Sequence, residues 1–428
     1  MTYAHKPQRS TAISFQQAYG SHGPVTSSNI MKTVKSNNVL ALCVSILISS
    51  TIPAVVVAIY TVVHEHMENK SDSNTLRLVH AVFRHGERTP ADTYPLDPYI
   101  NSSWEPFGWG QLTNNGKRKQ YELGKFIRKR YSGFLEVLYS SKKVSFRSTD
   151  VDRTLMSAQL VASAMYKPVG AQKWNKYLDW QPIPIHSEPL NDDRLLLVRI
   201  YCPKYYEERQ KIMNFTEVLE ELNTYNDLYG YLSNHTGLTI EDPDDVQSIY
   251  STLKAEADYG VVLPSWTSKV YPTKLAKVTS RSFILNSYNN EMKKLKGGPL
   301  LKKILENSKD KINKQSTHQL YAYAGHDSTI SNLLIALGVW DEQIPTYNML
   351  ALLEVHESKR GNFYFKVFLR NESSTEPYHL QIPNCKDDLC TIEHIEHLTA
   401  NVIPSDLNEE CKTDNPKFSS LKFIDRGP

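Results

Sequence analysis

The chain has 428 residues, 40% of them hydrophobic, with 49 Lys and Arg against 46 Asp and Glu. That length supports one large domain or two with a sizeable core. The charge excess is local: Lys6, Arg9, Lys32 and Lys35 lie in residues 1–38, which contain no acid, so the remainder is close to neutral and offers no basic face for nucleic acid.

Residues 39–63 follow this basic arm as an uncharged run of 25 residues. At about 1.5 Å of rise per residue, such a helix exceeds a hydrocarbon core of about 30 Å. Ser49, Ser50, Thr51 and Pro53 weaken the span without disqualifying it. Basic residues precede it and Glu65 and Glu68 follow, so the positive-inside rule puts residues 1–38 in the cytoplasm and the remainder in a lumen or outside the cell. The long leader and overlong apolar run favour a transmembrane signal-anchor over a cleaved signal peptide, although Ala54 and Ala58 supply small residues near its end. Cleavage would make the protein secreted.

After a linker at 64–75, glycosylation acceptors agree with translocation: Asn69, Asn101, Asn214, Asn234 and Asn371 all follow the apolar run. Cys43 lies inside that run, leaving Cys202, Cys385, Cys390 and Cys411, an even number suited to two disulfides with three pairings open. A zinc site is a poor alternative, because the Cys-x4-Cys spacing has no second pair near it.

The translocated part alternates strands and helices. The run Leu76 to Phe83 predicts a buried strand ending at Arg84-His85-Gly86. Thr113 or Asn114 then starts a helix with Tyr121, Leu123, Phe126 and Ile127 on its apolar side and Arg128, Lys129 and Arg130 in its last turn. Val144 to Arg147 reads as a second strand. Thr149 or Asp150 is the expected N-cap of a helix carrying Val151, Leu155, Ala158, Ala162 and Met165.

Residues of about 190–275, rich in Asp, Glu, Tyr and Asn, read as a mainly helical insertion. Leu320 to Ala324 predicts a strand, Gly325-His326-Asp327 a turn, and Ser328 to Leu337 a helix closed by Gly338. Leu350 to Val355 and Phe363 to Leu369 form a hairpin pattern around Ser358 to Asn362. The expected class is therefore α/β: a mainly parallel central sheet flanked by helices, with a smaller helical insertion domain, over residues 76–412, and a polar tail at 413–428.

Three strand-end loops carry charge: Arg84, His85 and Arg88 on the first, Arg147 on the second, and His326 and Asp327 on the third. In open α/β sheets, loops beyond the carboxyl ends of strands converge on ligands. Arginine offers a planar fork that matches phosphoryl oxygens, and a neutral imidazole beside it is a nucleophile.

Taken with Arg84 to Pro90, the runs Phe107-Gly108-Trp109-Gly110-Gln111-Leu112-Thr113, Arg147-Ser148-Thr149-Asp150-Val151-Asp152-Arg153-Thr154, Trp180-Gln181-Pro182-Ile183-Pro184 and His326-Asp327 resemble the histidine acid phosphatases. The likeness is to the lysosomal and prostatic branch and runs from about Leu76 to Cys411. It implies hydrolysis of phosphomonoesters at acidic pH, with His85 as nucleophile and Asp327 as proton donor. Arg84, Arg88, Arg147 and His326 are the implied phosphate-binding residues. No metal or other cofactor is implied, since arginines take the place of a cation.

The resemblance also implies the disulfides Cys202–Cys411 and Cys385–Cys390; a third family pair, near Ala257 and within Tyr347 to Leu352, has no cysteines here. Small phosphomonoesters are the implied substrates, the membrane is reached through residues 39–63, and a homodimer is compatible with the branch. A lysosomal or cell-surface location fits. Asp150, Asp152 and Arg153 are expected to brace a helix, and Glu87 and Thr89 are assigned no role. The rival readings are a catalytically silent anion-binding or adhesion protein, and a phosphatase specialised for inositol polyphosphates or lysophosphatidate. The intact six-residue set opposes the first, and the near-neutral charge after residue 38 opposes polyphosphate substrates.

Overall fold

The structure, a computed structural model, describes residues 75–198, 200–372, 374–385 and 390–419. The basic arm, the apolar run, Asn69 and the last residues of the tail lie outside the described residues. Among those described, no helix is long and apolar enough to cross a membrane.

Strand β1 (Leu76–Arg84) is the centre of the molecule, buried over almost its whole length. Its side chains alternate between two cores, as a pleated strand requires. Val79, Ala81 and Phe83 face the helices Asn114–Arg130 and Asp152–Met165 through Leu123, Ile127, Ala158 and Val161. Leu78 and Val82 face Leu301, Ile304, Ile330 and Leu334 on the helices Gly298–Ile312 and Asp327–Ala336. Helices thus cover both faces of the sheet.

The sheet also contains β2 (Val144–Ser148), β3 (Leu320–Gly325), β4 (Leu350–Glu357), β5 (Phe363–Arg370), β6 (Tyr378–Leu380) and β7 (Cys390–Thr391). The order is β2-β3-β1-β4-β5-β6, with β7 also on β5. The α/β class stands, but the sheet is mixed rather than mainly parallel. β2, β3 and β1 run parallel, whereas β4 pairs antiparallel with β1, and the expected hairpin continues that half. A two-strand hairpin placed beside β1 can offer only one strand to it, and here that strand runs opposite.

Register decides where the site lies. Arg84 is opposite Gly325, and Ser148 is opposite Ala324, so three parallel strands end at one level. The His85 N–H donates to the Gly325 carbonyl at 3.0 Å and the Thr149 N–H to the Ala324 carbonyl at 3.2 Å. The three charged loops therefore leave the sheet side by side.

Helices Pro203–Met213, Thr216–Asn223, Asn226–Thr236, Pro243–Tyr259 and Thr273–Leu285 follow one another between β2 and β3. A separate apolar cluster gathers Leu232, Val246, Ile249, Leu253, Leu275 and Val278. The helical run passes through residue 275 without a break, because Leu275 and Val278 pack with Leu253.

Cys202 is bonded to Cys411, 209 positions away, and Cys385 to Cys390. His394 stands within ligand distance of the second pair, but two sulfurs bonded to each other are not thiolates for a metal. Asn101, Asn214 and Asn234 are exposed; Asn371 is partly buried, its amide oxygen accepting from the Ser374 N–H at 2.9 Å.

Candidate active site

The loop after β1 is held by close backbone packing. A Cβ on Gly116, in the first turn of the Asn114–Arg130 helix, would lie 2.1 Å from the Glu87 carbonyl oxygen, and one on Gly86 would lie 2.7 Å from that of Gly116. Neither position has room for a side chain. The Glu87 carboxylate accepts from Thr113 Oγ1 at 2.5 Å and from Asn115 Nδ2 at 2.6 Å. Thr113 in turn caps the helix, accepting from the Gly116 N–H at 3.0 Å, as expected of a threonine there. Thr89 donates to the Gly108 carbonyl at 2.6 Å and accepts from the Gln111 N–H at 3.0 Å. Glu87 and Thr89 therefore fix the loop from beneath, a role that their position between charged residues did not disclose.

His85 is 2% exposed. Its Nδ1 donates to the Gly86 carbonyl at 2.8 Å, since a carbonyl can only accept, so Nε2 carries the lone pair. Burial first, then the charges of Arg153, Arg84, His326 and Arg88, hold the imidazole well below its ordinary pKa. The neutral, nucleophilic form is thereby favoured.

Arg84 Nη2 donates to Asp327 Oδ2 at 2.9 Å, Nη1 bonds the Pro345 carbonyl, and the guanidinium lies 4.6 Å from the Tyr347 ring centroid. Arg88 is buried and donates from Nη1 to the Thr89 carbonyl at 3.0 Å. His326 caps the Asp327–Ala336 helix, bonds Thr149 Oγ1 through Nε2 at 2.9 Å, and sets its ring edge-on to His85 with centroids 5.5 Å apart. Asp327 opens that helix, accepting from the Ser328 N–H at 2.8 Å, with its side chain 23% exposed. Five of the six expected residues thus meet around one imidazole.

Arg147 does not join them. Its guanidinium pairs with Glu188 at 2.7 Å. Parity explains this: Val144, Phe146 and Ser148 are buried, whereas Ser145 and Arg147 are only partly covered. The cation that takes its place is Arg153, 5% exposed and the largest single charge acting on His85.

Burial, then Arg88, pushes the Arg153 pKa down to about 9. It was expected to brace its helix. Its Cα instead begins a buried face that continues through Ser157, whose Oγ accepts from the Gly86 N–H at 3.2 Å. A signal was present in the sequence: arginine in the first turn of a helix opposes the dipole, and a charge placed against local preference marks function. The same helix is capped by Val151, without a side-chain bond, because Thr149 is committed to His326 and Thr154 and Asp150 accepts from Ser187 Oγ at 3.1 Å.

Two adjoining cavities open onto the cluster. One, of about 930 Å³, is lined by Arg88, Arg153, Trp109 and several aspartates; the other, of about 70 Å³, by Arg84, Asp327, Tyr250, Lys254 and Tyr347. Gln247 and Ser251 line both, so the two cavities are neighbours.

A model of the histidine phosphatase superfamily (branch 2) matches residues 75–370. The chain belongs to this superfamily. Prostatic acid phosphatase of Homo sapiens is 39% identical over 346 residues, covering 79% of this chain and 89% of its own length. Lysosomal acid phosphatase of Homo sapiens is 35% identical over 344 residues, covering 79% and 81%. A phytase from Citrobacter braakii shares the fold with a TM-score of 0.60 at 15% identity, over 79% of this chain and 99% of its own. The span matched by the histidine phosphatase superfamily contains β1 to β5 and every residue of the cluster around His85.

Proposed function

We propose that the chain is an acid phosphatase that hydrolyses orthophosphoric monoesters through a phosphohistidine. The observation that carries this reading is the His85 ring: one nitrogen is tied to Gly86, the other bears a lone pair, and buried guanidinium groups surround it. His85 Nε2 attacks phosphorus as the ester P–O bond breaks, and Asp327 gives its proton to the departing oxygen, releasing the alcohol. Asp327 then takes a proton from water, the water oxygen attacks phosphorus, the P–N bond breaks, and phosphate leaves. Arg84, Arg88, Arg153 and His326 hold the phosphoryl oxygens and balance the charge that builds on them. Burial and the surrounding cations favour the neutral His85 ring, the form that can attack phosphorus.

His85→Ala is expected to abolish hydrolysis of 4-nitrophenyl phosphate, by about 10⁴-fold or more, with an unchanged circular dichroism spectrum. Substantial turnover by this variant sinks the mechanism. Asp327→Asn is expected to slow alkyl phosphates more than 4-nitrophenyl phosphate, whose leaving group needs little protonation. Equal losses on both would remove Asp327 as the acid.

The setting proposed for this activity is outside the cytosol, on a membrane anchored through residues 39–63. The uncharged run, the acceptor asparagines after it and the two disulfides support that placement.

A further inference from the structure

The recess of about 930 Å³ has poles of opposite sign. Its floor holds Arg88 and Arg153, 8% and 5% exposed, each with an Nε that finds no hydrogen-bond acceptor. Buried cationic donors without acceptors await an anion, which the phosphoryl group supplies. Its walls carry Asp92, Asp150, Asp152, Asp244 and Asp245.

Asp244 is matched by Arg209 Nη2 at 2.6 Å. The other four have neutral partners: Asp92 accepts from the Thr93 N–H at 2.8 Å, Asp150 from Ser187 Oγ at 3.1 Å, Asp152 from Gln111 Nε2 at 3.0 Å and Asp245 from the Glu241 N–H at 2.9 Å. Among the described residues none of these four is in an ion pair. Asp152 and Asp245 sit in the first turns of helices, where the dipole offsets part of their charge. Asp92 and Asp150 are exposed and lie outside the helices, Asp150 just before the N-cap Val151.

We infer that this recess selects phosphomonoesters whose alcohol carries a positive charge, an ammonium or guanidinium group beside the ester, and disfavours alcohols that bear further anions. The inference rests on the proposed phosphatase reading and adds a substrate class to it. Bound with its phosphoryl group on Arg88 and Arg153, such a substrate directs its remainder along the aspartate walls. The indole of Trp109 also lines the recess, and indole rings attract cations. A unit charge about 7 Å from a carboxylate through water shifts an equilibrium by roughly 3-fold, so two exposed carboxylates outside ion pairs give a preference of up to about 10-fold at low ionic strength.

The test measures kcat/KM at low and high salt for the full chain and for the double variant Asp92→Asn with Asp150→Asn, which keeps side-chain size and one acceptor oxygen at each position. Each value is divided by that for phenyl phosphate with the same protein, which removes differences in fold or amount. One arm compares 2-aminoethyl phosphate with propyl phosphate; the other compares phosphotyrosine flanked by lysines with phosphotyrosine flanked by glutamates. We expect the cationic member of at least one pair to fall by about 10-fold relative to its partner in the variant, and the wild-type preference to shrink at high salt. The arm that responds tells a small amino alcohol from a basic peptide. Unchanged ratios in both arms, with phenyl phosphate still hydrolysed, overturn the inference alone. Failure to hydrolyse phenyl phosphate overturns the phosphatase reading and this inference with it.

Discussion

Two buried charge clusters sit at opposite ends of the central strands, and they are built by opposite rules. Around Glu354, every charge is answered: its Oε1 accepts from Arg130 Nη2 at 3.0 Å and from the Tyr131 hydroxyl at 2.6 Å, and its Oε2 meets His356 Nε2 at 3.1 Å. His356 continues to Thr75 Oγ1 at 2.9 Å. Burial pushes the Glu354 carboxyl up, but the His356 bond and the Arg130 charge outweigh it and hold the pKa below its ordinary value. Around His85, by contrast, three guanidinium groups crowd two imidazoles, and the Nε atoms of Arg84, Arg88 and Arg153 have no acceptor. A balanced cluster serves the fold, whereas a like-charged one opposes it and is tolerated for what binds there.

The comparison is sharpened by removing one member from each side. Glu354→Gln takes the carboxylate from the partly covered Arg130 and the buried His356, and is expected to lower unfolding free energy by about 1–3 kcal/mol. Turnover per folded molecule should stay near wild type; a large activity loss with unchanged stability would erase the distinction. Arg153→Met should do the reverse, lowering kcat/KM for an aryl phosphate by about 10²–10³ while thermal midpoint holds or rises. Arg147→Met in the same assay is expected to change kcat/KM by less than about 3-fold, since its partner is the partly exposed Glu188. A larger loss for Arg147 than for Arg153 would restore the reading drawn from the sequence.

A third buried group acts on stability alone, with a pH sign of its own. Glu256 is fully buried and finds no hydrogen-bond donor for either oxygen; burial first, then the nearby Asp97 charge, pushes its pKa up to about 8. The folded state therefore holds this proton more tightly than the unfolded chain. Its contribution is full below about 4.5 and is lost as pH rises toward 8. His80 works the other way, since burial and then Lys303 lower it to about 3, so its contribution weakens as pH falls from 6.5. Glu256→Gln is expected to recover roughly 2 kcal/mol of the stability that wild type loses between pH 5 and pH 8. Parallel melting curves for the two proteins over that range would exclude the assignment.

Much of this arrangement was legible in the sequence because it is local. The apolar run Leu76 to Phe83 and the loop after it are contiguous, as are Gly325, His326 and Asp327, and short-range pattern places both at strand ends. Arg147 misled because it occupies a strand end in sequence while strand parity turns its side chain elsewhere. Arg153 was hidden by a three-residue helix start in which a capping role looked sufficient. The antiparallel pairing of β4 with β1 was also out of reach, since it joins residues far apart whose own patterns fit either direction. Glu87 and Thr89 gain their meaning only when Gly116 brings the neighbouring helix against the loop.

The register that sets Arg84 opposite Gly325 has a consequence for biosynthesis. The residues it unites, Arg84 and Asp327, lie 243 positions apart. A nascent chain that has emerged with its Arg-His-Gly loop holds no reactive centre until the distant strand arrives and slots in beside the first. The cluster cannot assemble before residue 327 has been made, so the first three-quarters of the chain cannot form it alone.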